Sequence, residues 1–325
     1  MDSTRKEWLL NAAMALALLI VPLWAWVANE PFIITLATRI AILALAGVGL
    51  NIALGLGGMV SFGHALYLGI GGYVAGIAAH HAFHGTTVLG LPGTNQMLPI
   101  WAMAMILSGA VAGVVGALSL RTSGIFFIMI TLAFAQMGFF FALSWPAYGG
   151  EDGLPIFVRN QFPGLNTLRP WEFFLICYGV LVVALGLFAL LRAARFGAAL
   201  MAIRQNPDRV AALGITPFGI RLVAFVLSGM LTGLAGALMA DLTRFVSPAM
   251  MAWTMSGELI VIIILGGVGR LFGPVAGAAI LVGFEVFFGG LTEHWKLWLG
   301  LVLLGVVLFA RGGIIGLIAG RAHHG

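Results

Sequence analysis

The sequence predicts an all-α, polytopic integral membrane bundle on three observations. Of its 325 residues, 61% are hydrophobic and 8% are charged, and apolar runs of about 20 residues, the length a helix needs to cross hydrocarbon, recur almost end to end. So few charges cannot cover a water-facing globule, and a mean hydropathy of +1.09 agrees. Strands of a membrane barrel would instead alternate apolar and polar residues in short segments. The chain therefore reads as one membrane domain, 1–325, interrupted by an extramembrane segment at 192–221.

About ten membrane segments follow in order. Arg5 and Lys6 precede the apolar run Trp8–Val27, which has no convincing small-x-small cleavage site and reads as a retained first helix. Phe32–Leu54 and the glycine-crowded Val60–Ala79 come next, then Leu98–Leu120 and Gly124–Trp145 on either side of Arg121, then Trp171–Leu191. Beyond the extramembrane segment lie Leu222–Ala240, Gly257–Val268, Pro274–Gly290 and Trp295–Ala310. Gly257–Val268 is too short to cross alone at ~1.5 Å per residue and runs into GGVGRLFGP, so broken or re-entrant helix is expected there.

Charge placement orients these spans. Arg192, Arg195, Arg204, Arg209 and Arg221 stand against a single Asp208, which puts 192–221 in the cytoplasm. Counting outward from there also places Arg121, Arg270, Arg311, Arg321 and both termini inside, with Glu151, Asp152, Glu172 and Glu293 outside. The nine tryptophans all lie near span ends, where indoles prefer the headgroup level. Cys177 is the only cysteine, so no intrachain disulfide and no cysteine metal cluster can form.

Glycine carries information in lipid, where helices associate by close approach rather than by hiding apolar surface. Gly109 and Gly113, and likewise Gly229 and Gly233, have the four-residue spacing that permits it, and read as helix packing. They belong to similar fragments, LSGAVAGVVGAL at Leu107–Leu118 and LSGMLTGLAGAL at Leu227–Leu238, which the assigned topology runs in opposite directions, as in an inverted duplication. GLGGMVSFGHALYLGIGGYVAG at Gly55–Gly76 asks for more than packing. Gly55, Gly57 and Gly58 weaken helix continuity, and irregular backbone at membrane depth survives only inside protein or beside a water-filled cavity. Ser61, His64 and Tyr67, three residues apart, are expected to share one helix face along a substrate pathway. Arg39, Glu258 and Glu285 are the ionisable groups inside spans, with Asp241 and Arg244 near an outer end; Glu258 is either a pathway residue or a dipole-stabilising carboxylate near a helix start.

The segment RAARFGAALMAIRQNPDRVAALGITPFGIR breaks the membrane pattern. Ala198–Gln205 reads as a short helix, Pro207 starts another, Gly214 ends it and Pro217 follows. A mere topology anchor needs no such structure, and apolar Val210, Ala211, Leu213 and Ile215 suggest a docking surface for another protein. Enzymatic signatures are missing: there is no GxxxxGK[ST] loop, no HExxH, and only two lysines, Lys6 and Lys296. His80, His81 and His84 offer i, i+4 spacing without a third convincing ligand, so no metal and no catalytic residue is assigned.

Taken with RTSGIFFIMITLAFAQ (121–136), GGEDGL (149–154), FGAALMAIRQNPDRVAALGI (196–215), AFVLSGMLTGLAGAL (224–238) and ELIVIIILGGVGRLFGPVAGA (258–278), the stretch NIALGLGGMVSFGHALYLGIGGYVAG resembles, over nearly the whole chain, the permease subunits of branched-chain amino-acid ABC importers, in particular the LivM-like branch. The signature positions here are Asn51, Gly55, Gly58, Ser61, Gly63, His64, Gly69, Gly71 and Tyr73. The resemblance implies a subunit of the bacterial inner membrane that binds no cofactor and no nucleic acid. It would pair with a second, related permease, rest on two cytoplasmic ATPases that carry ATP and Mg, and receive substrate from an extracytoplasmic binding protein. It also implies that ATPase closure pushes on the coupling element, here Arg204, Gln205, Asn206, Asp208, Ala211, Ala212 and Gly214. The family's acidic residue before the Ala-Ala-x-Gly core is replaced by Val210, and its common Glu after the arginine by Gln205. Ser61, Thr131 and Gln136 are the polar contacts expected along the pathway. Relatives that carry urea or short amides look similar, and a standalone small-solute channel is the alternative from another class, for which a docking element has no use.

Overall fold

A computed structural model describes residues 3–88, 90–291, 294–309, 312, 313, 315 and 316. The expectations for Arg311, Arg321, Glu293 and the chain ends lie outside the described residues. Among the described residues there are twelve α-helices: α1 Ser3–Val27, α2 Pro31–Asn51, α3 His64–His84, α4 Met97–Ser119, α5 Ile125–Leu143, α6 Pro170–Ala193, α7 Arg195–Gln205, α8 Pro207–Ala212, α9 Pro217–Thr243, α10 Trp253–Gly266, α11 Gly273–Gly289 and α12 Trp295–Phe309. Four two-residue strands, β1 Thr87–Val88 with β2 Leu91–Pro92 and β3 Leu154–Pro155 with β4 Phe245–Val246, form two small antiparallel pairs.

Five helical stretches are long and apolar enough to span a bilayer: α2 with its continuation to Leu56, α4, α5, α6 and α9. Shorter apolar stretches occupy α1, α10, α11 and α12. The chain is a nearly all-α, multi-pass membrane protein. The long helices divide by burial. Nearly three quarters of the apolar window is enclosed in α2 and α9, whereas α5 is mostly uncovered and turns Ile125, Phe126, Met129, Met137, Phe140 and Phe141 outward. α3 is less apolar because its surroundings are protein: most of its residues from His64 to Ala79 are buried.

Glycine sets how closely these helices approach, and the contacts fix their relative directions. Along α3 and α9 the facing positions advance in step, Tyr67 with Gly229, Gly71 with Gly233 and Gly72 with Gly236, so the two run parallel. A Cβ on Gly71 would fall on the Gly233 carbonyl, and one on Gly236 would fall on the Leu68 carbonyl. α4 and α9 are antiparallel, since Gly109 lies against Met230 and Gly116 against Phe225. The two similar fragments therefore pack on one another in opposite directions. A Cβ on Gly229 would stand 2.6 Å from the Ala112 Cβ, one on Gly113 3.7 Å from Val226, and one on Gly233 would overlap the Ser108 side chain. α10 and α11 form a hairpin in which Gly266 meets Gly273 and Gly277 meets Ile262. α11 is antiparallel to α2, with Pro274 at Gly47 and Glu285 at Arg39.

Three sequence expectations change. α3 begins at His64, not Val60, because Gly57, Gly58 and Gly63 keep the preceding residues irregular; Ser61 therefore lies in a loop and shares no helix face with His64 and Tyr67. α10 begins at Trp253, four residues early, after a 3-10 turn at Pro248–Met251. Its C-terminal turn, 267–272, carries Gly267 at φ 122° and Gly269 at φ 77°, and α11 returns from it. α7 starts at Arg195 rather than Ala198 because the break falls at Ala194, whose extended backbone (ψ 161°) separates it from α6.

Gly71→Ala is expected to destabilise the detergent-solubilised chain by about 1–3 kcal/mol through forced separation of α3 from α9. Gly179→Ala, at a helical site where a Cβ meets nothing within 4 Å, should leave the unfolding midpoint unchanged or raised in the same thermal assay.

Candidate functional site

The site is the place where α2 stops. After Asn51 the helix widens into a π-helical turn, Ile52–Leu56, every residue of which is buried. The chain then leaves through Gly57 and Gly58, the latter at φ +68°, a conformation open to glycine and strained for other L-residues. A helix ending inside a membrane protein must find partners for its last carbonyls. Gly57, Gly58 and Met59 donate back to the carbonyls of Ile52, Leu54 and Ala53 at 3.0–3.3 Å. Asn51 ties the same turn to the α10–α11 connection: its Nδ2 donates to the Arg270 carbonyl and its Oδ1 accepts from Gly269 N–H, both at 2.9 Å. A Cβ on Gly55 would overlap Asn51 Oδ1 and stand 2.9 Å from Gly269, so glycine is what lets the two turns touch.

The start of α3 is held by its neighbours. Ser61 Oγ accepts from Gly63 N–H at 3.1 Å. Ser256 of α10 accepts from Ala65 N–H at 2.9 Å and donates to the Phe62 carbonyl at 2.6 Å. Thr131 of α5 accepts from Phe62 N–H at 3.3 Å and donates to Ile128 O at 2.9 Å. His64 Nε2 lies 2.6 Å from Ser228 Oγ, and that hydroxyl lies 2.6 Å from the Gly49 carbonyl. One hydroxyl hydrogen cannot serve both; the carbonyl can only accept, so Ser228 donates to it and His64 donates through Nε2–H. The His64 ring also meets Tyr67 and Phe225 edge-on, with centroids at 5.5 and 5.7 Å.

Of the residues the sequence assigned to a pathway, Ser61, His64, Tyr67 and Thr131 are thus brought together and fully buried. Gln136, five residues beyond Thr131 on α5, is half-buried, and its Nε2, like the Tyr67 hydroxyl, has no hydrogen-bond partner. Glu258 stands apart: two residues beyond Ser256, about 200° around α10, it lies 3.6 Å from Lys296 Nζ. Arg39 and Glu285 pair through two bonds of 3.0 and 2.8 Å. At the end of α3, His81 bonds to Thr86 and Tyr148, and His84 to the His80 carbonyl; no metal-binding group of three occurs among the described residues.

The 192–221 segment folds onto this break. Leu200 and Ile203 of α7 are fully buried, Asn206 caps α8 by accepting from Arg209 N–H at 3.0 Å, and Gly214 takes φ +82° to close the turn into α9. Val210 is buried against the chain itself, which removes it from the expected docking face. Ala211, Ala212, Leu213, Gly214 and Ile215 remain exposed, Leu213 at 79%, beside exposed Gln205, Asp208 and Arg209. Arg204, exposed like its neighbours, turns its guanidinium to the break and donates from Nη1 to the Gly55 carbonyl at 2.6 Å.

Sequence reasoning missed Ser228 and Ser256. The available signal was a hydroxyl in a largely apolar helix, which in lipid must find a partner. It also missed the clasp at the opposite end of the bundle. There Asn160 donates to buried Asp241 at 2.8 Å, and Arg159 donates to the carbonyls of Asp241, Thr167 and Leu242 while standing 4.5 Å over Phe173. Burial and the nearby Arg244 lower the Arg159 pKa, opposed by Asp241.

Comparison with known proteins bears on this geometry. Residues 32–311 match the family described as the permease component of branched-chain amino acid transport systems. The high-affinity branched-chain amino acid transport system permease protein LivM of Salmonella typhimurium is 28% identical over 92% of this chain and 74% of its own length. The probable branched-chain amino acid transport permease protein LivH of Methanocaldococcus jannaschii is 26% identical over 85% of this chain and 89% of its own. The autoinducer 2 import system permease protein LsrC of Yersinia enterocolitica is 29% identical over 55% of this chain and 52% of its own. No solved structure matches.

Asn51→Ala would leave the Gly269 N–H and Arg270 carbonyl without their buried partner, a loss of about 1–3 kcal/mol. Its thermal unfolding midpoint should fall, and protease cleavage within 267–272 should quicken.

Proposed function

Because the chain belongs to the family of permease components of branched-chain amino acid transport systems, we propose that it is the membrane subunit through which an ATP-driven importer passes branched-chain amino acids. That it is an ABC importer permease, a transport subunit rather than an enzyme, follows from the family; the cargo and the partners are the proposal. One observation carries the coupling role: α7 and the Asn206-capped α8 keep an exposed edge, Ala211–Gly214, small residues around a protruding Leu213, while Leu200, Ile203 and Val210 are buried on their other face. A channel would have no use for such an edge.

In this reading the α7–α8 segment faces the cytoplasm of a bacterial cell, with the bundle in the inner membrane. Two ATPases carrying ATP and Mg dock beneath it, a related permease completes the pathway, and a binding protein delivers cargo at the opposite end. Arg204, Gln205, Asn206, Asp208, Ala211, Ala212 and Gly214 form the coupling segment, with Arg204 acting inward and the others available to the partner. Leucine-like cargo suits apolar walls with few polar groups. The buried, unpartnered Tyr67 hydroxyl and Gln136 amide support a polar passage beside Ser61, His64 and Thr131 that opens where α3 parts from α5 and α9, because buried polar groups without partners call for water or ligand in some state. Glu258 would serve nearer the delivery end. The partial match to LsrC supports a second reading, cargo of the autoinducer 2 kind.

Isotope-labelled leucine uptake, measured in membranes holding the complete complex with and without ATP, tests the assignment. ATP-dependent accumulation that unlabelled isoleucine and valine suppress is expected. Accumulation suppressed by autoinducer 2 instead would transfer the cargo assignment, and ATP-independent equilibration would remove the importer reading. Gly214→Arg, strained at φ +82° and facing the partner edge, should lower ATP-linked uptake by about tenfold or more without loss of the chain from the membrane.

A further inference from the structure

We propose that Arg204 is a positioning residue that locks α7 to the break in α2, so that α7, the π-helical turn Ile52–Leu56 and the α10–α11 turn move as one body when the importer cycles. The proposal rests on the coupling role given above and says where the push goes.

Three observations converge on it. The guanidinium donates to the Gly55 carbonyl at 2.6 Å, a short, charge-assisted bond to a backbone group inside the widened turn. The stem of the same side chain lies over Gly58, where a Cβ would stand 2.7 Å from Arg204 Cγ and 3.2 Å from Cδ, so the left-handed glycine forms the seat of the arginine. Leu200, one turn earlier on α7, is fully buried beside Gly57. Guanidinium, stem and α7 anchor thus grip three successive features of the break rather than one atom.

From the gripped turn the connection continues. Asn51, one residue before the π-helical turn, holds both Gly269 N–H and the Arg270 carbonyl. A Cβ on Gly55, the residue whose carbonyl Arg204 takes, would meet Gly269 directly. Displacing α7 therefore drags the end of α2 and, through Asn51, the hairpin of α10 and α11. π-Helical turns sit frequently at functional sites, and this one closes α2 where α7 grips it. A hydrogen-bonded junction that holds its parts together is one way a docking event can be passed to a distant pathway.

The test uses the whole importer reconstituted in lipid, with uptake and ATP hydrolysis measured together. Arg204→Ala should keep its ATPases through purification and still hydrolyse ATP, while uptake per ATP falls about tenfold. Gly58→Ala, which unseats the arginine without removing it, should shift the ratio the same way, and Arg204→Lys, which keeps one charged donor, should recover part of it. An unchanged ratio in Arg204→Ala would overturn the proposal, and so would loss of the ATPases from that variant, which would make Arg204 part of the docking face. If the unsubstituted complex shows no ATP-linked uptake, the importer reading itself falls.

A second measurement needs neither variant. The single cysteine, Cys177, is buried, so spin labels can be placed at introduced cysteines at exposed Ala202 of α7, Val268 of the α10–α11 turn and Leu190 of α6. Between nucleotide-free and vanadate-trapped states the 202–268 distance should hold while both change relative to 190. A change in the 202–268 distance of about 5 Å, one helical turn, would show that the three parts do not travel together.

Discussion

The rest of the architecture depends on one constraint: a backbone that stops being helical inside a membrane protein must find every partner within the protein. α2 stops at Leu56, and its surroundings are arranged to satisfy that stop. Asn51 takes the α10–α11 turn, Ser256 and Thr131 serve the backbone leading into α3, and Arg204 takes the Gly55 carbonyl. These partners come from α2, α5, α7 and α10, so the glycine-rich stretch is the knot at which otherwise separate helices are fastened. Glycine crowds the stretch because side chains there would occupy the space of those partners.

Close approach does for the helices what hydrophobic burial does in water. Between apolar helices in lipid there is little to gain from hiding surface, so contact area and dispersion decide, and these rise as backbones draw together. α9 is the centre of that arrangement, with α3 parallel on one face, antiparallel α4 on another and α2 on a third. The bulky groups between α3 and α9 gather near the start of α3, where Tyr67 and Phe225 meet His64 edge-on, and the glycine contacts take over beyond them.

The two ends of the bundle are built differently. The α7–α8 end presents exposed small residues on helices fastened inward by Leu200, Ile203 and Arg204. The other end is closed by a clasp in which Arg159 and Asn160 hold the last turn of α9 through its backbone and Asp241, while Thr167 braces both from within the loop. One end is thus a pair of short helices fastened to the bundle, and the other a loop stapled to the end of a long helix.

Composition and periodicity were enough to read the class, the long spans and the folded 192–221 segment, because apolar length and proline–glycine punctuation are local properties of a chain. The glycine spacing in Leu107–Leu118 and Leu227–Leu238 marked two close-packing faces for the same reason. Which faces meet is not local. Ser61 looked like part of a helix until Gly57, Gly58 and Gly63 were seen to keep it out; Val210 looked like surface until α8 was laid on the bundle; Ser228 and Ser256 carried no mark beyond a hydroxyl in an apolar run. By itself the sequence determined a helical membrane protein with a break after α2 and a structured loop. Only the tertiary structure decided that the break and the loop touch, through Arg204 and Gly55, because a contact between residues 149 positions apart depends on how the intervening helices stack, and no periodicity records that.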